Sequence, residues 1–464
     1  MKNKLHWFII LFCISIVVNA QTTFSTKNII ALTGDQPYRM VSGDFNNDGN
    51  IDLIVATFGD NTIELYSNDG TGSFSLHSSL INTLDGITGI KFVDLNGDTF
   101  EDIVACSYSN DKVVWFANDG GGGGNYGTEQ TISSSVNGAS GLAVGTIDAG
   151  TSVDIAVSAI DDNTIVWFSN NGSGSFTGPT TLDNTLTSPD TITLEDLDGD
   201  TDLDAIVVTS QSSSTNVVEI FRNNGAGAFT KDASSVGSGL NYLSEAISVD
   251  YDGDANLDIL VTELGETAGA GSLIWYEDTG AGFSSTTITT SFGNPSMARM
   301  KDLDNDGMND LIVSSGALAD VNDLIWLKNN GSGSFGPEQV IDNTQNQAYV
   351  FELADFDNDT YPDIASSAYN DDHLNWFENQ YYILGLDDND KDSFGIYPNP
   401  TLDRLNFRST NSEDFNISVY DLLGKKVLGA TKNVNSPLDV STLESGIYIL
   451  KLDDFSKAYK FIKQ

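Results

Sequence analysis

The sequence predicts an all-β chain, a seven-bladed β-propeller of four-stranded blades closed by its N-terminal strand, followed by a small C-terminal β-sandwich. Three observations predict it. An acidic segment recurs seven times, opening at Asp44, Asp94, Thr146, Asp196, Asp250, Asp302 and Asp355, with starts 50, 52, 50, 54, 52 and 53 residues apart. After each comes an aromatic run, in most copies followed by a Gly-rich turn, as in IELYSNDGTGSF, IVWFSNNGSGSF and LIWLKNNGSGSF. Between these marks lie short runs of Val, Ile, Thr, Tyr and Phe punctuated by Gly, Asn and Asp, and no segment sustains a 3.6-residue period.

At the N-terminus, Lys2 and Lys4 precede an apolar run from Trp7 to Val18, and Val18-Asn19-Ala20 has the small-x-small pattern of a signal-peptidase site. Residues 1–20 therefore read as a signal peptide, and the mature chain is expected to start at Gln21. No later stretch reaches the ~18 to 20 apolar residues that a membrane helix requires, so no transmembrane segment is expected in the mature chain. The 464 residues carry 21 Lys+Arg against 66 Asp+Glu, a net charge of −45. Such a field repels nucleic acid and anionic lipid and favours cations. Cys106 is the only thiol left after export, which excludes an intrachain disulfide.

The repeats span residues 21–380, and each reads as four strands. The seventh lacks a fourth strand, since LNWFENQ runs into YYILGLDDNDKD without a Gly-rich turn. FSTKNII from Phe24 matches FSLHSSLI from Phe74, so residues 23–32 are expected to complete the seventh blade and remove its open edge.

Within each acidic loop, oxygen-bearing side chains stand at positions 1, 3, 5 and 9, which curls the chain around one point and turns the position-7 carbonyl inward. This is an oxygen set for a hard cation. Ca²⁺ takes six to eight oxygens at about 2.3 to 2.6 Å in a flexible shell, whereas Mg²⁺ demands stricter geometry. The expected ligands are Asp44, Asn46, Asp48, Asn50 and Asp52 in the first loop and Asp94, Asn96, Asp98, Phe100 and Asp102 in the second. In the fourth they are Asp196, Asp198, Asp200, Asp202 and Asp204, and in the fifth Asp250, Asp252, Asp254, Asn256 and Asp258. The sixth offers Asp302, Asp304, Asp306, Met308 and Asp310, and the seventh Asp355, Asp357, Asp359, Tyr361 and Asp363. Asn50, Phe100, Asp202, Asn256, Met308 and Tyr361 serve through their carbonyls. About six Ca²⁺ are expected, with the third loop (Thr146, Asp148, Gly150, Asp154) empty for want of carboxylates. Position 6 calls for left-handed backbone, which Gly49 and Gly307 supply and from which Thr99, Thr201, Ala255 and Thr360 depart.

The loops and their trailing WFxNxGxGxF segments resemble FG-GAP or VCBS repeats over about residues 23–380, and are similar to the calcium-bearing propeller of integrin α subunits. The resemblance implies a structural metal on the face opposite the usual ligand face.

From Phe394 the charge balance changes to 9 Lys+Arg against 8 Asp+Glu, and short alternating strands follow (RLNFRS, NISVYDLLG, IYILKL, AYKFIK). Residues 394–464 read as a separate sandwich domain, and 381–393 as a linker with a cleavable stretch at Asp387 to Asp392. The segments YPNPTLDRLNF, VYDLLGKKV, LESGIYILKL and KFIK closely resemble the type A C-terminal sorting domain of the type IX secretion system. That resemblance implies passage across both membranes of a Gram-negative bacterium, engagement of the outer-membrane sorting machinery, and delivery to the cell surface or medium.

The mature chain holds only His77 and His373, in different repeats, which leaves little for His-based catalysis. Trp115, Trp167, Trp275, Trp326 and Trp376 recur at one third-strand position, where packing between blades is the expected role. Asp60, Asp111, Asp161, Asp162, Asp371 and Asp372 recur on the other rim, and Tyr242 and Tyr349 lie near blade starts; together they are candidates to line a central ligand pocket, with recurrent Asx turns as the simpler account of the aspartates. The expected function is a non-enzymatic surface or secreted module for adhesion to a glycan or extracellular protein. The alternative is a polysaccharide lyase or hydrolase on the same propeller, which would need a non-repeating pair of catalytic groups at its centre.

Overall fold

The computed structural model describes residues 24–380, apart from 33, 211–214, 266–270, 281, 289–293 and 317–322, and residues 395–463, apart from 398–399, 409–414, 422–424, 434–435 and 453–457. The expected signal peptide and the expected linker with its cleavable stretch lie outside the described residues. The chain divides into two compact units, Thr22–Tyr381 and one containing Tyr382–Gln464. Every described element is a strand, and no described helix is long and apolar enough to cross a membrane.

In the larger unit each repeat forms an antiparallel sheet whose strands run in sequence order. The first is Pro37–Gly43, Asp52–Thr57, Ile63–Asn68 and Phe74–Ser79. The next opens with Ile87–Val93, and later ones with Ala139–Gly145, Pro189–Glu195, Leu243–Val249, Pro295–Lys301 and Ala348–Ala354. The fourth repeat departs from the pattern, because both Thr230–Lys231 and Gly237–Leu240 pair with its third strand Asn216–Arg222.

Second strands such as Asp52–Thr57 and Asp154–Ala159 are buried at all six positions. Their apolar runs are continuous because both faces of each sheet pack against neighbours. Fourth strands such as Phe74–Ser79 are largely exposed and correspondingly polar. First strands of consecutive repeats are neighbours, and Ala348–Ala354 neighbours Pro37–Gly43.

The seventh repeat takes its fourth strand from the N-terminus, as expected. Asn28–Leu32 pairs antiparallel with His373–Phe377, and Phe24 bridges Asn379. The recurrent tryptophans pack between sheets. Trp376 lies against Gly72, Trp115 against Gly174 and Trp167 against Gly227, each so close that a side chain on the glycine would collide with the indole. That close approach is why the second glycine of the Gly-x-Gly turn recurs.

Cys106 is fully buried beside Thr88, and burial pushes its thiol up to about 11, an inert core residue. In the C-terminal unit, Gly395–Tyr397, Arg404–Arg408 and Leu438–Asp439 form one sheet. Lys426–Lys432, Phe415–Asp421, Gly446–Leu452 and Ala458–Lys463 form the other. Leu405, Phe407, Val419, Leu450 and Phe461 share one core between them, the sandwich the alternation predicts.

Candidate metal centres and central channel

Each acidic loop joins a first strand to a second at the same end of its sheet. In the first loop Asp44 Oδ2 accepts the Gly49 N–H at 2.8 Å, Asn46 Oδ1 that of Asp48 at 2.9 Å, and Asp48 Oδ1 that of Asn50 at 2.9 Å. The position-6 N–H reaches the first carboxylate again from Thr99 to Asp94, Thr201 to Asp196, Ala255 to Asp250, Gly307 to Asp302 and Thr360 to Asp355. Phe100, Asp202, Asn256, Met308 and Tyr361 donate their N–H groups to Asp98, Asp200, Asp254, Asp306 and Asp359. Asn96 accepts from Asp98 as Asn46 does from Asp48.

These bonds require left-handed backbone at position 6, and every one of the six loops adopts it. Gly49 and Gly307 have φ of 90° and 88°, and Thr99, Thr201, Ala255 and Thr360 hold 74°, 77°, 74° and 81°. A β-branched residue there costs about 1–3 kcal/mol, offset by the loop's own hydrogen bonds.

The residues of the fourth, fifth and seventh loops fit a hard cation, whereas in the sixth the Lys328 ammonium already stands among the carboxylates. In four loops the first three aspartates, Asp196/198/200, Asp250/252/254, Asp302/304/306 and Asp355/357/359, bring carboxylate oxygens within 4.8 Å of one another. The first two loops substitute Asn46 and Asn96 at the third position.

The ninth-position aspartates have a second task. Asp52, Asp102, Asp204, Asp258, Asp310 and Asp363 open the second strands and are buried to within 1% of full burial. Asp102 Oδ1 accepts the N–H of Asn118 and Oδ2 that of Leu95, both at 2.9 Å. Asp363 likewise accepts from Asn379 and Phe356. Asp154 does the same in the worn third loop, accepting from Asn170 and Ile147, so this linkage is independent of metal. Burial pushes Asp52 and Asp310 up to about 7, Asp102 to about 6 and Asp363 to about 8.

The asparagine that ends the third-strand signature then ties neighbouring sheets. Asn118 Nδ2 donates to Phe45 O, Asn170 to Leu95 O, Asn223 to Ile147 O, Asn379 to Leu303 O, and Asn68 to Phe356 O of the seventh repeat. Asp278 replaces it in the fifth repeat.

The opposite rim is also stitched. Asn61, Asp111, Asn163 and Asp372 have φ of 60°, 60°, 55° and 52° and accept N–H groups from Gly86, Gly138, Ser188 and Gln36 of the next repeat. Asp371 accepts from Asn346, Asp60 from Thr57, Asp161 from Tyr108 and Asp162 from Asn137. The recurrent rim aspartates are thus architectural, though all but Asp60 bond residues 25 or more positions away rather than closing the local Asx turns expected.

What varies between repeats lies on the first strands. First strands of all the repeats line a cavity of ≈ 480 Å³ holding Arg39, Lys91, Glu195, Glu245, Arg299 and Glu352. Arg299 pairs with Glu245 at 2.7 Å, and Ser42 donates to Glu352 at 3.1 Å. Burial raises Glu352 and lowers Lys91, although the Lys91 side chain still reaches solvent along the channel. At the mouth, Arg39 lies 4.0 Å over the ring of Tyr38, which stacks on Tyr349 at 5.1 Å and abuts Tyr369 and Phe58. Tyr349 was legible as a candidate; Tyr38, Arg39, Lys91, Tyr369 and Glu352 were missed. The available signal was charge at first-strand positions where other repeats carry Val41, Ala143 or Ile247.

Serial four-stranded sheets, each with an acidic loop at one end, define a propeller-like repeat protein whose carboxylates are placed to hold metal. The chain belongs to the FG-GAP-like repeat family, whose profile matches residues 44–105, 196–261, 250–313 and 302–366. Residues 395–464 match the secretion system C-terminal sorting domain, which marks the chain for export to the cell surface or medium. No curated protein matches the sequence. Among solved structures the chain is similar to BBS1N in complex with ARL6DN, soaked with mercury, at TM-score 0.51 and 10% identity over 78% of this chain and 98% of that one. The lead-soaked form gives 0.52 and 10% over 79% and 99%. At that identity the likeness concerns the fold.

Proposed function

We propose that the mature protein is a non-enzymatic binding module, a calcium-stiffened seven-bladed propeller closed by Asn28–Leu32, that engages an extracellular glycan or protein through the channel mouth. Closure is supported by the recurrence between the seventh and first repeats of every link found between consecutive ones: Asn68 to Phe356, Gln36 to Asp372, and Trp376 against Gly72. Calcium is supported by the pre-formed carboxylate trios and the hydrogen bonds that aim them. The metal's contribution is local stiffening, at the end of each first strand remote from the mouth. Seven residues separate the two ends, about 20 Å at the rise of a strand.

The observation that carries the binding role is the aromatic group Tyr38, Tyr349, Tyr369 and Phe58 with Arg39, drawn from equivalent positions of the first and seventh repeats and half-buried at a rim otherwise occupied by architectural turns. Flat rings beside a guanidinium suit the apolar faces and hydroxyls of a sugar, or a protein side chain. A glycan and surface-polysaccharide array of the mature protein tests this. Tyr38→Ala and Tyr369→Ala should each weaken the captured ligand about tenfold, the equivalent of ~1.4 kcal/mol, with products intact by mass spectrometry. Shortened or unsaturated products would move the protein to the polysaccharide-processing class.

Delivery rests on the sorting domain. Deleting residues 394–464 should leave the propeller in the periplasm, read by cell fractionation; normal surface display of the truncated chain would sink the type IX assignment.

A further inference from the structure

The six acidic loops are alike in sequence but not in what faces them. The residue preceding the third-strand Asn is Ser67, Ala117, Ser169, Arg222, Glu277, Lys328 or Glu378, the position being followed by Asp278 in the fifth repeat. In the third, fourth and sixth repeats its side chain reaches its own loop. Ser169 Oγ donates to Asp148 at 2.8 Å and Arg222 Nη1 to Asp204 at 2.8 Å, while burial, with the like charges of the neighbouring carboxylates and Glu378 adding to it, pushes Asp357 and Asp359 up. Lys328 goes furthest. Its ammonium contacts Asp304 and lies 2.7 Å from Asp306, two of the three carboxylates that form the sixth-loop trio. Asp304 is nearly fully buried, and its Oδ1 has no hydrogen-bond partner.

An ammonium at that distance occupies the volume that a calcium ion with 2.3–2.6 Å bonds would need. The sixth loop as built does not fit a bound metal unless Lys328 leaves. In the fourth loop Arg222 engages the ninth-position Asp204 and the nearby Asp232, and it makes no hydrogen bond to Asp196, Asp198 or Asp200. The fifth and seventh loops stand at the other extreme, with the acids Glu277 and Glu378 at this position.

We propose that Lys328 is the resident cation of the sixth loop, so that this loop is held closed without calcium while the fifth and seventh, with an acid at that position, depend on it most. The charge of one third-strand residue thereby grades the repeats, and the expectation of about six calcium ions gives way to fewer ions than intact loops. The contrast between loops rests on the calcium reading above; the Lys328 ion pair itself does not.

Native mass spectrometry of the mature full-length protein titrated with Ca²⁺ tests the idea with two reciprocal variants. Lys328→Ser, which places here the residue of the first repeat, should gain one calcium ion that binds at least tenfold more tightly than any binding at the wild-type sixth loop. Glu378→Lys should lose one. On the unmutated protein, an amine-reactive reagent read by peptide mapping should modify Lys328 slowly and at the same rate with and without excess Ca²⁺. Release of Lys328 by calcium, or unchanged stoichiometry in both variants of a calcium-binding wild type, would overturn the proposal. If nothing binds calcium, the calcium reading fails while Lys328 protection still decides the ion pair, so the two failures are distinguishable. Should Lys328→Ser not fold, Glu378→Lys and the labelling experiment each remain decisive.

Discussion

Removing residues 22–32 should destroy the cooperative fold of the propeller-like unit. Asn28–Leu32 supplies the outer strand of the seventh sheet, in register Asn28↔Trp376, Ile29↔Asn375, Ala31↔Leu374 and Leu32↔His373. Ser25 exchanges two further bonds with Glu378, its N–H donating to the carbonyl and its Oγ accepting the Glu378 N–H, and Phe24 and Ile30 pack against the core around Trp326, Phe356 and Phe377. Losing about six hydrogen bonds at ~1 kcal/mol each, with two apolar contacts, removes roughly 6–8 kcal/mol. That is comparable to the whole stability of an ordinary domain. The deletion also bares the edge of His373–Phe377, a template for pairing with other chains. Thermal unfolding and size-exclusion chromatography of the deleted chain should show no cooperative transition and growing aggregates. Phe24→Ala, which keeps the strand, should fold and lose only about 1–3 kcal/mol. A deleted chain that melts where the intact one does would refute the closure reading.

Much of this architecture was legible because it is periodic. A spacing of 50 to 54 residues repeated along the chain places every acidic loop, every third-strand tryptophan and the missing outer strand. The left-handed turn at position 6 was predictable from the loop shape, and Thr99, Thr201 and Thr360 adopt it despite their β-branches because Asp94, Asp196 and Asp355 each take the turn's N–H. What stayed hidden depends on contacts between residues distant in sequence. Nothing local says that Asp52 and its counterparts serve the next strand as well as their own loop, or that Asn68 reaches the carbonyl of Phe356 across 288 residues. Lys328 looked like one of ten bases in a strongly acidic region until its ammonium was placed beside Asp304 and Asp306. The channel charges and the Tyr38 stack occupy repeat positions that most copies fill with other residue types, so a search for the shared pattern passes over them.

The pH dependence of stability should change sign with calcium. In the metal-free protein Asp52 and Asp310 are pushed up to about 7, Asp102 to about 6 and Asp363 to about 8, with burial the first cause in each and neighbouring carboxylates adding to it. Unfolded, such groups titrate near ~3.9. A carboxyl whose folded pKa is raised favours the protonated native state. Its stabilisation is full below about pH 4 and disappears as pH rises through 6 to 8. Counting about 1 kcal/mol for each of these four groups, and about 2 °C per kcal/mol in a unit of this size, Tm should fall by roughly 8 °C between pH 4.5 and 8 after exhaustive removal of divalent cations. Falling self-repulsion among the acidic groups at low pH acts in the same direction. Calcium reverses the slope, because the ion binds only the deprotonated carboxylates and stabilises more as they become available. Scanning calorimetry from pH 4.5 to 8, with and without excess Ca²⁺, should give two curves that cross. A metal-free curve that rises with pH would show that the buried ninth-position carboxyls are ionised in the folded protein. The hydrogen bonds from Asn68, Asn118, Asn329 and Asn379 would then outweigh burial, and the loops would be braced by the protein alone.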